Sequence, residues 1–173
     1  MLEKGLIART SSDELLMLEA KKFERNLLNF FWRQGVSASE SEDLVQETYL
    51  RLWRHRADYR PTARLSTFLF LMARQVRIDA LRRLTRRGSR ETAWAAEQPV
   101  VTDEASGYGA REDVRWALAR LSDPLREVVE LGVLQDLPYA EVAEILGIPV
   151  GTVKSRMHNA LKELKGVMDE RRP

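Results

Sequence analysis

The sequence predicts an all-α chain built of two small helical domains joined by a linker, the second containing a helix-turn-helix. Three observations predict it. Apolar residues recur at three- and four-residue spacings over most of the 173 residues, and no strand-like alternation of useful length interrupts them. The stretch 88–109, GSRETAWAAEQPVVTDEASGYG, lacks that period and carries three Gly, one Pro and several Ser and Thr, so it divides the chain. Near the end, Gly147-Ile148-Pro149 leaves only a tight turn between two amphipathic segments, with glycine supplying a backbone conformation that other residues resist.

The elements follow in order. After the cap-like Ser11-Ser12-Asp13, one helix is expected through Leu15, Leu18, Lys22, Phe23, Leu27, Phe30 and Phe31, ending at Gly35. Ser39 with Glu42 three residues on has the pattern of a capping box and opens a helix to about His55, with Leu44, Thr48 and Leu52 in a buried stripe and Leu50 and Trp53 beside it. Residues 57–64 read as a loop broken by Pro61. Ser66 then caps a helix to about Arg87, with Phe68, Leu71, Met72, Val76, Ile78 and Leu81 as its apolar positions. Within the linker, Trp94 argues for docking on a neighbour and against a wholly free tether. Beyond it, a helix over 112–121 turns Val114, Leu118 and Leu121 inward. Ser122-Asp123-Pro124 starts the next, to about Leu134, since proline is tolerated in a first turn. Helices over 138–146 and from Val150 to about Met168 complete the chain.

Charge is segregated along this order. Residues 51–90 hold twelve arginines, no lysine and only Asp58 and Asp79, a net +10, whereas residues 91–149 carry −8. The whole chain is only +2. Such a block points to a polyanion partner. Zero cysteines exclude disulfides, thiolate metal sites and a cysteine nucleophile, and the two histidines, His55 and His158, lie too far apart in sequence to suggest a His-rich metal site. No apolar run reaches the length of a membrane span, and no secretory signal pattern opens the chain. Asp43 and Glu47 form an i, i+4 carboxylate pair without a histidine or glycine-rich loop nearby. With no Walker-type loop, GxSxG or HExxH, the chain reads as a non-enzyme without cofactor.

The segment LPYAEVAEILGIPVGTVKSRMHNALKEL (137–164) reads as the helix-turn-helix. Its second helix buries a stripe of Val153, Met157, Ala160, Leu161, Leu164 and Met168. Lys154, Ser155, His158, Asn159 and Lys162 project from the other side. These are groups that bond base edges or phosphates, where an ordinary solvated helix shows Glu–Lys ladders.

The chain resembles the extracytoplasmic-function (ECF) sigma factors of bacteria, the small two-domain group of the sigma-70 family. SEDLVQETYLRLWRHR (41–56) with FLMARQVRIDALRRLTRR (70–87) resembles the second conserved region, and LSDPLREVVEL (121–131) with YAEVAEILGIPVGTVKSRMHNALKEL (139–164) the fourth. The resemblance implies a cytoplasmic protein that binds core RNA polymerase and directs promoter recognition, DNA melting and transcription initiation. A domain over 10–87 would hold polymerase and the minus-ten element, 88–109 would be the linker, and 110–170 would read the minus-thirty-five duplex.

In relatives, the helix matching 43–53 binds the clamp helices of the polymerase's largest subunit, which assigns that role to the ridge Asp43, Gln46, Glu47, Leu50 and Arg54. The stretch 58–70 corresponds to the part that captures an unstacked minus-ten base. Tyr59, Arg60, Arg64, Ser66, Phe68 and Phe70 supply rings, cations and a hydroxyl there, and stacking contributes about 1–3 kcal/mol per base. Arg74, Arg77, Arg82, Arg83, Arg86 and Arg87 would grip the backbone, because the guanidinium fork bonds phosphate bidentately, and Gln75 would offer its amide to the minus-ten element. In the recognition helix, Lys154, Ser155, His158 and Asn159 share the reading face, and Thr152, Arg156 and Lys162 meet phosphate. Relatives are commonly held inactive by an anti-sigma factor.

Three positions depart from the family pattern. Phe68-Leu69 stands where many relatives have Trp-Leu, keeping a ring but losing the indole donor. Arg74-Gln75 replaces Arg-Asn. Pro149 takes the place of a serine cap, so Thr152 or water must satisfy part of the helix end. Two other readings are weaker. A stand-alone helix-turn-helix regulator would not need the second basic block, and a helical adaptor leaves the arginines unexplained.

Overall fold

The computed structural model describes residues 2–60, 64–86 and 108–170, with side chains over 12–60, 64–85 and 112–169. The expected linker, including Trp94, lies almost wholly outside them. The described residues form α1 (Leu2–Lys21), α2 (Glu24–Arg33), α3 (Ala38–Arg54), a short 3₁₀ turn (Arg56–Asp58), α4 (Leu65–Arg86), α5 (Tyr108–Ala119), α6 (Asp123–Val129), a π turn (Glu130–Leu134), α7 (Tyr139–Leu146) and α8 (Val150–Glu170). No strand occurs among them.

The first four helices pack around α2, α3 and α4. Phe30 meets Phe31 and Phe70 edge-to-face at 5.3 and 5.6 Å, and Leu27, Val36, Val45, Leu52, Leu69 and Val76 close around them. Such ring pairs contribute about 0.5–1.5 kcal/mol beyond the area they bury. The single helix expected over 15–31 is two. The chain breaks at Lys22 and Phe23, whose amides donate to Glu19 and Ala20 in tight i→i−3 bonds. Leu15 and Leu18 lie on the solvent side of α1, 58% and 60% exposed.

The cap of α3 is Ser37, not Ser39. Its Oγ accepts from the Glu40 amide at 3.3 Å and donates to the Glu40 carboxylate at 2.8 Å. In α4 the expected Ser66 cap is instead a residue of the first turn. Leu69, Phe70, Met72, Ala73 and Val76 are its buried positions, while Phe68, Leu71, Ile78 and Leu81 are half-buried.

The last four helices form a continuation of the same core, with Leu118, Leu121, Val128, Leu131, Val142, Ile145, Val153, Met157 and Ala160 inward. Arg126 ties α5 to α6 by donating from Nε to the Leu118 carbonyl at 2.9 Å and from Nη2 to the Leu121 carbonyl at 2.8 Å. Carbonyls in the last turn of a helix lack part of their intrahelical partners, and the Leu118 carbonyl also takes the Leu121 amide at 3.1 Å. Past α6 the backbone widens into the π turn, which lays Gly132 against α8: a Cβ there would sit 2.8 Å from Met157 Cε. Gly147 ends α7 at φ +65°, the left-handed conformation the turn requires. Three residues expected inside are exposed: Val114 at 42%, Leu161 at 51% and Met168 at 49%.

The two groups of helices touch along α4 against α7 and α2 against α5. Polar side chains join the two groups across this seam. Donors come from the first group and acceptors from the second: Asn26 to Gln135, Arg33 to Glu130, Thr67 to Glu141 and Arg74 to Glu127, with Arg64 and Arg77 as ion-pair partners of Glu141 and Glu127. From the second group Arg115 reaches back, its guanidinium 4.7 Å over the Trp32 ring.

Candidate functional site

The ridge on α3 is formed as its spacing requires. Val45, Thr48, Tyr49 and Leu52 point into the core, so Asp43, Gln46, Leu50 and Arg54 stand exposed on the opposite side. Glu47 is half-buried and engaged within the helix, 3.6 Å from Arg51 Nη2 and 3.9 Å from Arg54 Nη1. Sequence reasoning missed Trp53 as a member of this surface. It is 42% exposed beside Leu50, and the Arg56 guanidinium lies 4.1 Å from its ring centroid on one face.

Between α1 and the start of α4 lies an open cleft of about 570 Å³, lined by Asp13, Leu16, Phe23, Arg56, Tyr59, Arg64 and Ser66 among others. Arg56 is fixed to Asp13 at 2.7 Å, and the Tyr59 ring is backed by Phe68 at 5.6 Å between centroids. Arg60 is exposed at the chain's approach to this cleft. Phe70 is not available to a base: it is 1% exposed and belongs to the core.

The arginines of α4 divide between two faces. Gln75, Arg82 and Arg83 are exposed, with Arg82 3.6 Å from Asp79 and Arg83 donating to the Asp79 carbonyl at 3.3 Å. The Arg86 side chain and Arg87 lie outside the described residues. Arg74 and Arg77 instead face α6. Arg74 donates from Nε and Nη2 to the two Glu127 oxygens at 3.1 and 3.4 Å, and Arg77 lies 3.9 Å from the same carboxylate. The Arg77 side chain is only 8% exposed. Burial pulls its guanidinium below the usual arginine range, with the charges of Glu127 and Asp123 opposing that shift. At the head of α4, Arg64 Nε sits 3.3 Å from Glu141, which also accepts from the Thr67 hydroxyl. Of the arginines expected to grip the DNA backbone, Arg74 and Arg77 are turned inward onto the Glu127 carboxylate.

The helix-turn-helix presents α8 to solvent. Lys154, Ser155, His158, Asn159 and Lys162 are all exposed and share one side, opposite Val153, Met157 and Ala160. Thr152 and Arg156 are half-buried at its flank. At the start of the helix the Thr152 and Val153 amides donate to the Pro149 carbonyl at 2.9 and 3.2 Å. Among the described residues no group of three or more His, Cys, Asp or Glu is placed to hold a metal ion, and no helix is long and apolar enough to cross a membrane.

Among the described residues the fold is helical, with an exposed polar ridge on α3 and a helix-turn-helix whose second helix, α8, carries an exposed polar face. Family models agree. Sigma-70 region 2 matches residues 20–87, and sigma-70 region 4 matches residues 111–164. Among curated proteins, the ECF RNA polymerase sigma factor SigL of Mycobacterium tuberculosis is 36% identical over 147 residues, 80% of this chain and 82% of that protein. SigK of Mycobacterium ulcerans is 34% identical over 138 residues, 76% and 74% of the two chains, and RpoE of Cereibacter sphaeroides 29% over 162 residues, 91% and 88%. Two solved structures share the fold at 21% identity. The sigma factor RpoE of Bartonella quintana, in complex with the anti-sigma factor NepR, has a TM-score of 0.71 over 95% of this chain and 99% of that one. CnrH, in complex with the cytosolic domain of CnrY, has 0.67 over 92% and 99%. The chain belongs to the ECF RNA polymerase sigma factors.

Proposed function

We propose that this sigma factor binds core RNA polymerase through the α3 ridge, holds the opened minus-ten strand at the cleft and along α4, and reads the minus-thirty-five duplex with α8. Residues 10–87 and 110–170 serve as the two functional domains and 88–109 as the linker. The chain contributes recognition and melting energy in the cytoplasm, with no cofactor and no chemistry of its own, since RNA synthesis belongs to the polymerase. Its polymerase-facing residues are Asp43, Gln46, Glu47, Leu50 and Arg54. By analogy with the relatives crystallised on NepR and CnrY, an anti-sigma factor is a further partner.

The observation that carries this reading is the α8 surface, where five exposed groups able to bond bases or phosphates share one side of the second helix of a helix-turn-helix. Run-off transcription across a promoter library with purified core polymerase tests it. Initiation that needs both components, at promoters sharing two spaced elements, is the expected result. Sequence-specific DNA binding and regulation without core polymerase would instead make the chain a stand-alone regulator.

A further inference from the structure

Along its length α4 carries five arginines and a single acid, Asp79. A carboxylate on a helix that faces a polyanion repels it, so its presence there needs a physical reason. Asp79 is half-buried, and its carboxylate is shared between two helices. Its Oδ2 accepts from Arg51 Nη1 of α3 at 3.0 Å, and its Oδ1 lies 3.6 Å from Arg82 Nη1, one turn further along α4. The Asp79 carbonyl accepts from Arg83 Nε at 3.3 Å. The Arg51 side chain is 19% exposed and that of Arg82 68%, so the carboxylate meets a sheltered cation on the protein side and an exposed one on the solvent side. Beside it opens a shallow concavity of about 270 Å³ lined by Arg51, Gln75, Ile78, Asp79 and Arg82. The last four stand at i, i+3, i+4 and i+7, on one face of α4. The contact with Asp79 draws the Arg82 guanidinium back along the helix towards the Gln75 end. An arginine held in this way loses less rotamer freedom when it meets a phosphate.

We infer that Asp79 is a positioning residue of the strand-binding face: anchored from α3 by Arg51, it holds Arg82 over the Gln75 concavity, where a nucleotide of the opened minus-ten strand meets both. The inference rests on the minus-ten assignment proposed above. Asp79 acts through Arg82 and does not itself touch DNA. Arg51 balances its charge from the protein side, so the strand meets an oriented guanidinium and not a bare carboxylate. A purely electrostatic role has the opposite sign. Removing a negative charge from a polyanion-binding face tightens binding and steepens its salt dependence, by about 0.7 in slope per charge for a single strand. A tie that only packs α3 on α4 would move the melting temperature and leave strand affinity to follow charge alone.

The test uses holoenzyme reconstituted with saturating core polymerase and a fluorescein-labelled single strand carrying the minus-ten element of a library-selected promoter. Asp79→Asn keeps the side-chain shape and removes the charge. This variant should bind the strand at least threefold more weakly than the parent, with unchanged helicity and a salt slope no steeper, although the chain has become more positive. Asp79→Glu, which restores the carboxylate, should bring the affinity back to within twofold of the parent. On an Arg82→Ala background Asp79→Asn should weaken the strand no further, because the two residues act as one unit. Equal or tighter binding in Asp79→Asn, with Arg82→Ala still weakening the strand, would overturn the inference and leave the minus-ten assignment standing. A strand affinity indifferent to both substitutions would overturn that assignment, and the inference with it.

Discussion

Glu130 offers the sharpest energetic test of the contact between the two groups of helices. Its side chain is 0% exposed and accepts three hydrogen bonds, from Arg33 Nε at 2.8 Å, Arg33 Nη2 at 2.7 Å and Gln135 Nε2 at 3.0 Å. Arg33→Ala would strand this carboxylate with one amide donor. Removing one partner of a buried pair costs about 3–5 kcal/mol, a large share of the roughly 5–15 kcal/mol that keeps a domain folded. Glu130→Ala should cost less, because the Arg33 side chain is 15% exposed and sits in the last turn of α2, where a cation is favoured. The pair also joins the two groups of helices, so parting them would return Glu130 to water. The measured loss therefore cannot exceed the free energy of docking. If docking is the weaker term, Arg33→Ala expands the molecule without unfolding it. Urea unfolding followed by circular dichroism, with small-angle scattering for the radius, separates the two outcomes. An Arg33→Met, Glu130→Leu double variant should recover most of the loss, since apolar replacement of a buried pair is often neutral or better. A radius and a urea midpoint both unchanged in Arg33→Ala would refute the reasoning.

Four further predictions use other parts of the molecule. Burial, with a smaller contribution from Glu24, pushes the Tyr49 phenol from 10.0 up to about 12, so its stabilising contribution is complete below pH 10 and is lost as pH rises through 12; thermal melts should show that loss in the parent and a flatter profile in Tyr49→Phe. Gly147→Ala meets no neighbouring atom within 4 Å but must hold φ +65°, so urea titration should show a pure backbone cost of about 1–2 kcal/mol. Replacing Asp43 and Gln46 together by alanine should weaken core polymerase binding by about 2–4 kcal/mol in competition with the parent, helicity unchanged. On a randomised minus-thirty-five library at two salt concentrations, Asn159→Ala should relax one or two base preferences at a cost of about 1–3 kcal/mol, whereas Lys162→Ala should weaken all sequences alike and lower the salt slope by about one; the reverse pattern would exchange their roles.

The helix-turn-helix was legible because its signals are local. Gly147 marks the end of α7, and the period of Val153, Met157 and Ala160 sets the outward face of α8 without reference to the rest of the chain. The start of α3 was ambiguous for a physical reason. Ser37 with Glu40 and Ser39 with Glu42 satisfy the same capping pattern, and sequence spacing cannot rank two overlapping matches. The break at Lys22 and Phe23 carries no glycine or proline, so only the packing of Phe23 and Leu27 against the rest of the chain distinguishes two helices from one. Leu161 and Met168 fit the apolar stripe of α8 by period, yet Ala160 and Leu164 take the packed side and leave those two exposed. The α4 arginines mark the limit of local reading: their charge is evident, but the partner of Arg74 lies 53 residues away. The opposed net charges of 51–90 and 91–149 were the available signal for that pairing.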